Sequence, residues 1–77
     1  MSKELTLGEK RVRTNFNVSG DNTVDYIKIE TAVLINHMEE VRKNKTVEDK
    51  AEFNRLISLS QTAFEEAAMW AVKAATL

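Results

Sequence analysis

Residues 53–74 read FNRLISLSQTAFEEAAMWAVKA, and this stretch decides the fold. Within it Phe53, Leu56, Ser60, Ala63, Ala67, Trp70 and Ala74 recur at steps of three and four. That is the rhythm of an α-helix with a narrow heptad seam. Ser60, Ala63, Ala67 and Ala74 are small, which lets a neighbouring helix axis come close. A second stripe of Ile57, Phe64, Ala68 and Val72, with Leu59 nearby, covers an adjoining face. The chain has no proline, and its only glycines are Gly8 and Gly20, so nothing interrupts a helix over about 47–75. Upstream, Asn44-Lys45 supplies a turn, and Thr46 followed by Asp49 resembles a capping box.

Working outward, Ile27, Thr31, Leu34, Met38 and Val41 form a second seam of the same period, widened by Val24 and Ile35. Asp21, Asn22 and Thr23 are each able to cap that helix. Asp25 suits the positive end of its dipole, and Arg42 and Lys43 suit the negative end. The expected fold is therefore all-α. Residues 21–77 form an antiparallel two-helix hairpin, with helices over about 22–43 and 47–75. Residues 1–20 form a short basic N-terminal arm carrying Lys3, Lys10, Arg11 and Arg13 against Glu4 and Glu9. A turn of helix over Lys3–Lys10 fits there, before the turn-rich Asn15–Gly20 stretch. The second helix has more apolar surface than one partner covers, and chains this small often rely on assembly, so a homo-oligomer is expected.

The 77 residues suffice for one small domain. Apolar residues at 43% are too many for a disordered chain. With no cysteine, disulfides and thiolate zinc sites are excluded. No apolar run approaches the roughly 20 residues of a membrane span. The opening MSKELTLGEKRVRT lacks the apolar core of a signal peptide. These features predict a soluble, intracellular protein.

Catalysis is not expected, and neither is a cofactor or a metal. The single histidine, His37, sits on a helix beside Leu34 and Met38. Glu39-Glu40 and Glu65-Glu66 are adjacent pairs that diverge by about 100° on a helix, so neither shares a proton. Ser58 and Ser60 have no histidine within a helical turn. Met69 and Trp70 suit a core or an oligomer interface.

The arm is more informative. Lys10, Arg11 and Arg13 cluster within four residues, and Phe16 follows. Guanidinium forks match phosphate oxygens and an aromatic ring stacks on a base. The same residues also fit a solvated arm with Phe16 folded on the hairpin, and spacing alone does not choose. A net charge of −1 is a poor match for a long duplex but leaves room for a local patch that takes a small ligand with two or three phosphates.

Three segments taken together resemble a known group. They are Arg11-Val12-Arg13-Thr14-x-Phe16-Asn17, then Val24-Asp25-x-Ile27-Lys28-x-x-Thr31-Ala32-x-Leu34-Ile35, and the tail Arg55 to Ala74, whose core reads Gln61-Thr62-Ala63-x-Glu65-x-Ala67-x-Met69-Trp70. They resemble the helical-hairpin domain shared by phage anti-CBASS and anti-Thoeris proteins, which act as nucleotide sponges. The likeness covers about residues 11–75, and the tail is its most specific part.

The resemblance implies a non-enzymatic protein that sequesters cyclic nucleotide second messengers of bacterial immunity in the cytoplasm of the infected host. It implies a homo-oligomer, a hexamer in related sponges. Cyclic dinucleotides are held between protomers there, and in some sponges cyclic trinucleotides bind near the threefold axes. The anti-Thoeris branch takes cyclic ADP-ribose isomers. Lys28 matches a ligand-contacting lysine. The group's aromatic–arginine pair falls at Val12-Arg13, flanked by Arg11 and Phe16. For the trinucleotide site the group uses an arginine–threonine pair on the second helix, which reads Gln61-Thr62 here, with Glu30 and Thr31 at the opposite wall of that pocket. The ligand-binding residues expected are thus Arg11, Arg13, Phe16, Lys28, Thr31, Gln61 and Thr62. Long nucleic acid and membrane are not expected partners. The competing reading is a structural or protein-interaction hairpin oligomer without a ligand, and an RNA-binding hairpin is a weaker third.

Overall fold

The computed structural model describes residues 4–14 and 20–77. Thr6 starts the first element. Its side chain accepts from the Glu9 amide and the Glu9 carboxylate accepts in return from the Thr6 amide, a complete capping box. The helix it launches, α1 (Leu7–Val12), ends at Arg13 in the left-handed conformation, φ 56° and ψ 57°. The expected arm is thus corrected to a docked helix, placed a few residues later than the Lys3–Lys10 turn. Phe16 lies outside the described residues.

The two long helices follow as expected. In α2 (Asn22–Asn44) the Asp21 carboxylate caps by accepting from Thr23 N at 2.8 Å. In α3 (Lys50–Ala75) the cap is Asp49, which accepts from Glu52 N at 3.0 Å. The start near 47 is therefore corrected to Lys50. Asp49 caps the helix instead of standing third in a box begun by Thr46, because its carboxylate reaches an orphan first-turn amide. Among the described residues there is no strand.

The α2–α3 contact makes a hairpin, and α1 lies on one side of it, antiparallel to α2. Ile35 and Ala32 from α2, Ala68 from α3 and Val12 from α1 form the core, with Ile27 and Phe64 packed against it. Ile57 and Val24 are also buried. The seams drawn from the sequence need a correction here. Leu34, Leu56 and Trp70 are 45%, 52% and 56% exposed. The stripe of Ile57, Phe64 and Ala68, read as adjoining, is the one that meets α2. Each contact face is turned by about one residue, some 100°, from the heptad seam.

A polar network accounts for that turn. Gln61 is 2% exposed. Its Nε2 donates to Ile35 O and to Glu39 Oε1, both at 3.1 Å, while its Oε1 accepts from Arg42 Nη2 at 3.1 Å. Arg42 also donates to Ser58 Oγ at 3.0 Å and pairs with Glu39 at 3.2 Å. Among the described residues no buried side-chain nitrogen or oxygen lacks a partner. The Gln61 hydrogen bond holds the Glu39 carboxyl below the usual glutamate range, helped by Arg42 and Lys43 and opposed by burial. A depressed carboxyl contributes stability above its unfolded value of about 4.3, and that contribution is lost as pH falls through the folded value. Glu39→Gln should therefore flatten the acid side of the melting temperature against pH. An acid limb as steep as wild type's would show that Glu39 carries none of it.

Candidate functional site

The docking of α1 creates a groove. Its C-terminal end faces Lys28 on α2 and the 62–72 stretch of α3. Arg11 leaves α1 on the side of α3 and donates from Nη2 to Thr62 Oγ1 at 3.1 Å. The same guanidinium pairs with Glu65, at 3.3 Å from Nη2 and 3.5 Å from Nε. These distances exceed the 2.7–2.9 Å usual for a charge-assisted bond, so the pair is loose. Lys28 Nζ donates to Arg13 O at 3.2 Å, so a cation meets the carbonyl end of α1.

The resulting cavity of about 480 Å³ is lined by the cations Arg11, Arg13 and Lys28 together with Glu65, which pairs with Arg11, and Glu66. Ala68, Met69 and Val72 make an apolar floor. This size falls within the range of small-molecule sites, and convergent charges over an apolar floor suit a ligand with anionic and planar parts. Among the described residues no group of three or more His, Asp or Glu is placed to hold a metal. No helix among them is long and apolar enough to cross a membrane.

Four of the expected site residues, Arg11, Arg13, Lys28 and Thr62, meet in this groove. Gln61 does not line it. One position before Thr62, it points about 100° away into the hairpin, where both ends of its amide are occupied. Thr31 is half-buried and donates to Ile27 O at 2.7 Å, away from the groove. Sequence reasoning passed over Glu65, Ala68 and Val72 as lining residues. Glu65 follows Thr62 by three and so shares its face, a signal available without the structure.

Comparison with known proteins adds one finding and two blanks. The family model described as Acb2/Tad1, hairpin domain, matches residues 9–76, which takes in the second half of α1, both long helices and every groove residue. No curated protein and no solved structure matches the chain significantly. With the match running across most of its length, the chain belongs to the Acb2/Tad1 hairpin family, the anti-CBASS and anti-Thoeris sponges, and so has the family's general role of binding cyclic nucleotides in phage anti-defence.

Proposed function

We propose that the protein is a sponge that captures cyclic nucleotide immune signals reversibly in the host cytoplasm. Cyclic dinucleotides are the foremost ligands, with cyclic trinucleotides and cyclic ADP-ribose isomers the others of the class. The groove is the observation that carries this reading. Arg11, Arg13 and Lys28 line it together with the apolar Ala68, Met69 and Val72, which suits phosphates joined to flat bases. Thr62 adds a hydroxyl, and Phe16 is the candidate stacking ring. A purely structural hairpin has no need of three cations at one groove.

Removing one charged hydrogen bond costs about 1.5–3 kcal/mol, roughly a 10- to 150-fold loss of affinity. Lys28→Ala should weaken binding to that extent in isothermal titration while a parallel sizing run stays unchanged. Equal affinity for every cyclic nucleotide that wild type binds would remove Lys28 from the site. Capture without chemistry is tested by heating the complex, which should release the cyclic ligand intact. Recovery of a linear product would replace the sponge with a nuclease.

We propose further that the sponge is a homo-oligomer, a hexamer in the manner of its relatives. Its accessible surface is 5805 Å². A compact monomer of 8.7 kDa has about 4,700 Å². The surplus is comparable to the roughly 800 Å² that each partner buries in a standard interface. Leu34, Met38 and Val41 share the side of the hairpin away from α1 with Phe53, Leu56 and Ala67, and Trp70 lies at the edge of that side. The shortest dimension of the Cα trace is only 12 Å, and among the described residues Leu34, Leu56 and Trp70 remain exposed.

A further inference from the structure

The groove exists only while α1 is docked, and six residues are far too few to hold a helix by themselves. Two contacts fix its N-terminal half to α2. Asn36 Oδ1 accepts from Gly8 N at 2.8 Å, and Asn36 Nδ2 donates to Thr6 Oγ1 at 3.0 Å. Gly8 N is one of the orphan amides of the first turn, so a side chain 28 residues away in sequence completes the cap that Thr6 begins. Beside it, Gly8 lies flat on α2. A Cβ at position 8 would stand 2.7 Å from Ala32 Cα and would run into the Ala32 carbonyl. That neighbour is helix backbone, which cannot swing aside.

We propose that Asn36 and Gly8 are positioning residues for ligand capture, acting through Arg11 and Arg13 without touching ligand themselves. Asn36 clamps the start of α1, Gly8 lets it lie close, and the C-terminal end is thereby presented to Lys28, Thr62 and Glu65. Apparent affinity is reduced by whatever fraction of molecules has α1 undocked. Asn36 thus sets the strength of a groove that it does not itself line. The inference rests on the groove being the ligand site.

The test pairs a ligand-free measurement with a titration, using the full chain. In Asn36→Ala, amide exchange followed by NMR should show lost protection at Lys10–Arg13, while Ile35 and Ile57 keep theirs. Titration with cyclic di-GMP, cyclic di-AMP and cyclic GMP–AMP should show a loss of roughly tenfold or more, as expected for two broken hydrogen bonds. Arg11→Ala should then add its own full loss to that of Asn36→Ala, because docking scales the apparent affinity without changing the contacts of the docked state. Strong non-additivity would show that Asn36 acts on the ligand contacts directly, and lost protection at Ile35 and Ile57 would show a general loss of stability; either overturns the proposal. Unchanged protection of α1, or unchanged affinity despite lost protection, overturns it too. Gly8→Ala gives a second, steric route to the same undocked state, should Asn36→Ala fold poorly. If wild type binds none of the three probes, nor a cyclic trinucleotide or a cyclic ADP-ribose isomer, the sponge reading fails, and exchange alone then decides whether Asn36 holds α1.

Discussion

Ile35→Ala should lower the unfolding free energy by about 2–5 kcal/mol, the range for truncating a fully buried isoleucine. Ile35 has no exposed surface and sits where all three helices meet, against Val12, Ala32 and Ala68. Its carbonyl also accepts from Gln61 Nε2, so a shift of the backbone there disturbs the polar network as well. A domain of this size has only about 5 kcal/mol in reserve. Urea unfolding followed by circular dichroism should therefore find the variant largely unfolded under mild conditions. A loss below about 1 kcal/mol would show that the site collapses around the smaller side chain, and that the core lies elsewhere.

The second large effect concerns assembly. Inside one protomer Trp70 touches little. Its indole N–H donates to Glu66 at 3.4 Å, and Lys73 Nζ stands 5.6 Å from the ring centre. Trp70→Ala should leave helix content nearly unchanged, because more than half of the side chain is exposed. Buried between copies, the same ring is worth about 3–5 kcal/mol, which moves the dissociation constant of the assembly by two to four orders of magnitude. Light scattering across a dilution series reads this directly. A wild type that scatters as an 8.7 kDa monomer at micromolar concentration would dismiss the assembly.

Much of this was legible in the residues, and the exceptions have physical causes. Both long helices follow from steps of three and four, from the absence of proline and from carboxylate caps, all of which are local. The choice of contact face is not local. Two apolar stripes run side by side on α3, and the one selected is the stripe that lets Gln61 meet Arg42 and Glu39 across the hairpin. Without the partner helix, a lone glutamine in an apolar stripe reads as an interruption. α1 was underread for a different reason. The Thr6-x-x-Glu9 box is a start signal, but six residues give too little periodicity to count, and much of what holds the helix comes from Asn36, Thr62 and Glu65 on the other two helices. In the site, Arg11, Arg13, Lys28 and Thr62 were all named from sequence and do converge. Glu65 is not named there, because its partner Arg11 lies 54 residues away.

Arg13 sits in a left-handed backbone conformation that glycine adopts without penalty and that costs an L-residue roughly 1–2 kcal/mol. The turn at the end of α1 favours glycine there, while the groove favours a cation. The two demands pull on one codon in opposite directions. Selection for thermal robustness alone would drift position 13 toward glycine and strip the groove of charge. On the proposed sponge reading, selection for capture keeps a strained arginine and accepts a weaker domain. A laboratory lineage screened only for heat resistance would thus be expected to lose its grip on nucleotides at this position early, through a substitution that looks like an improvement.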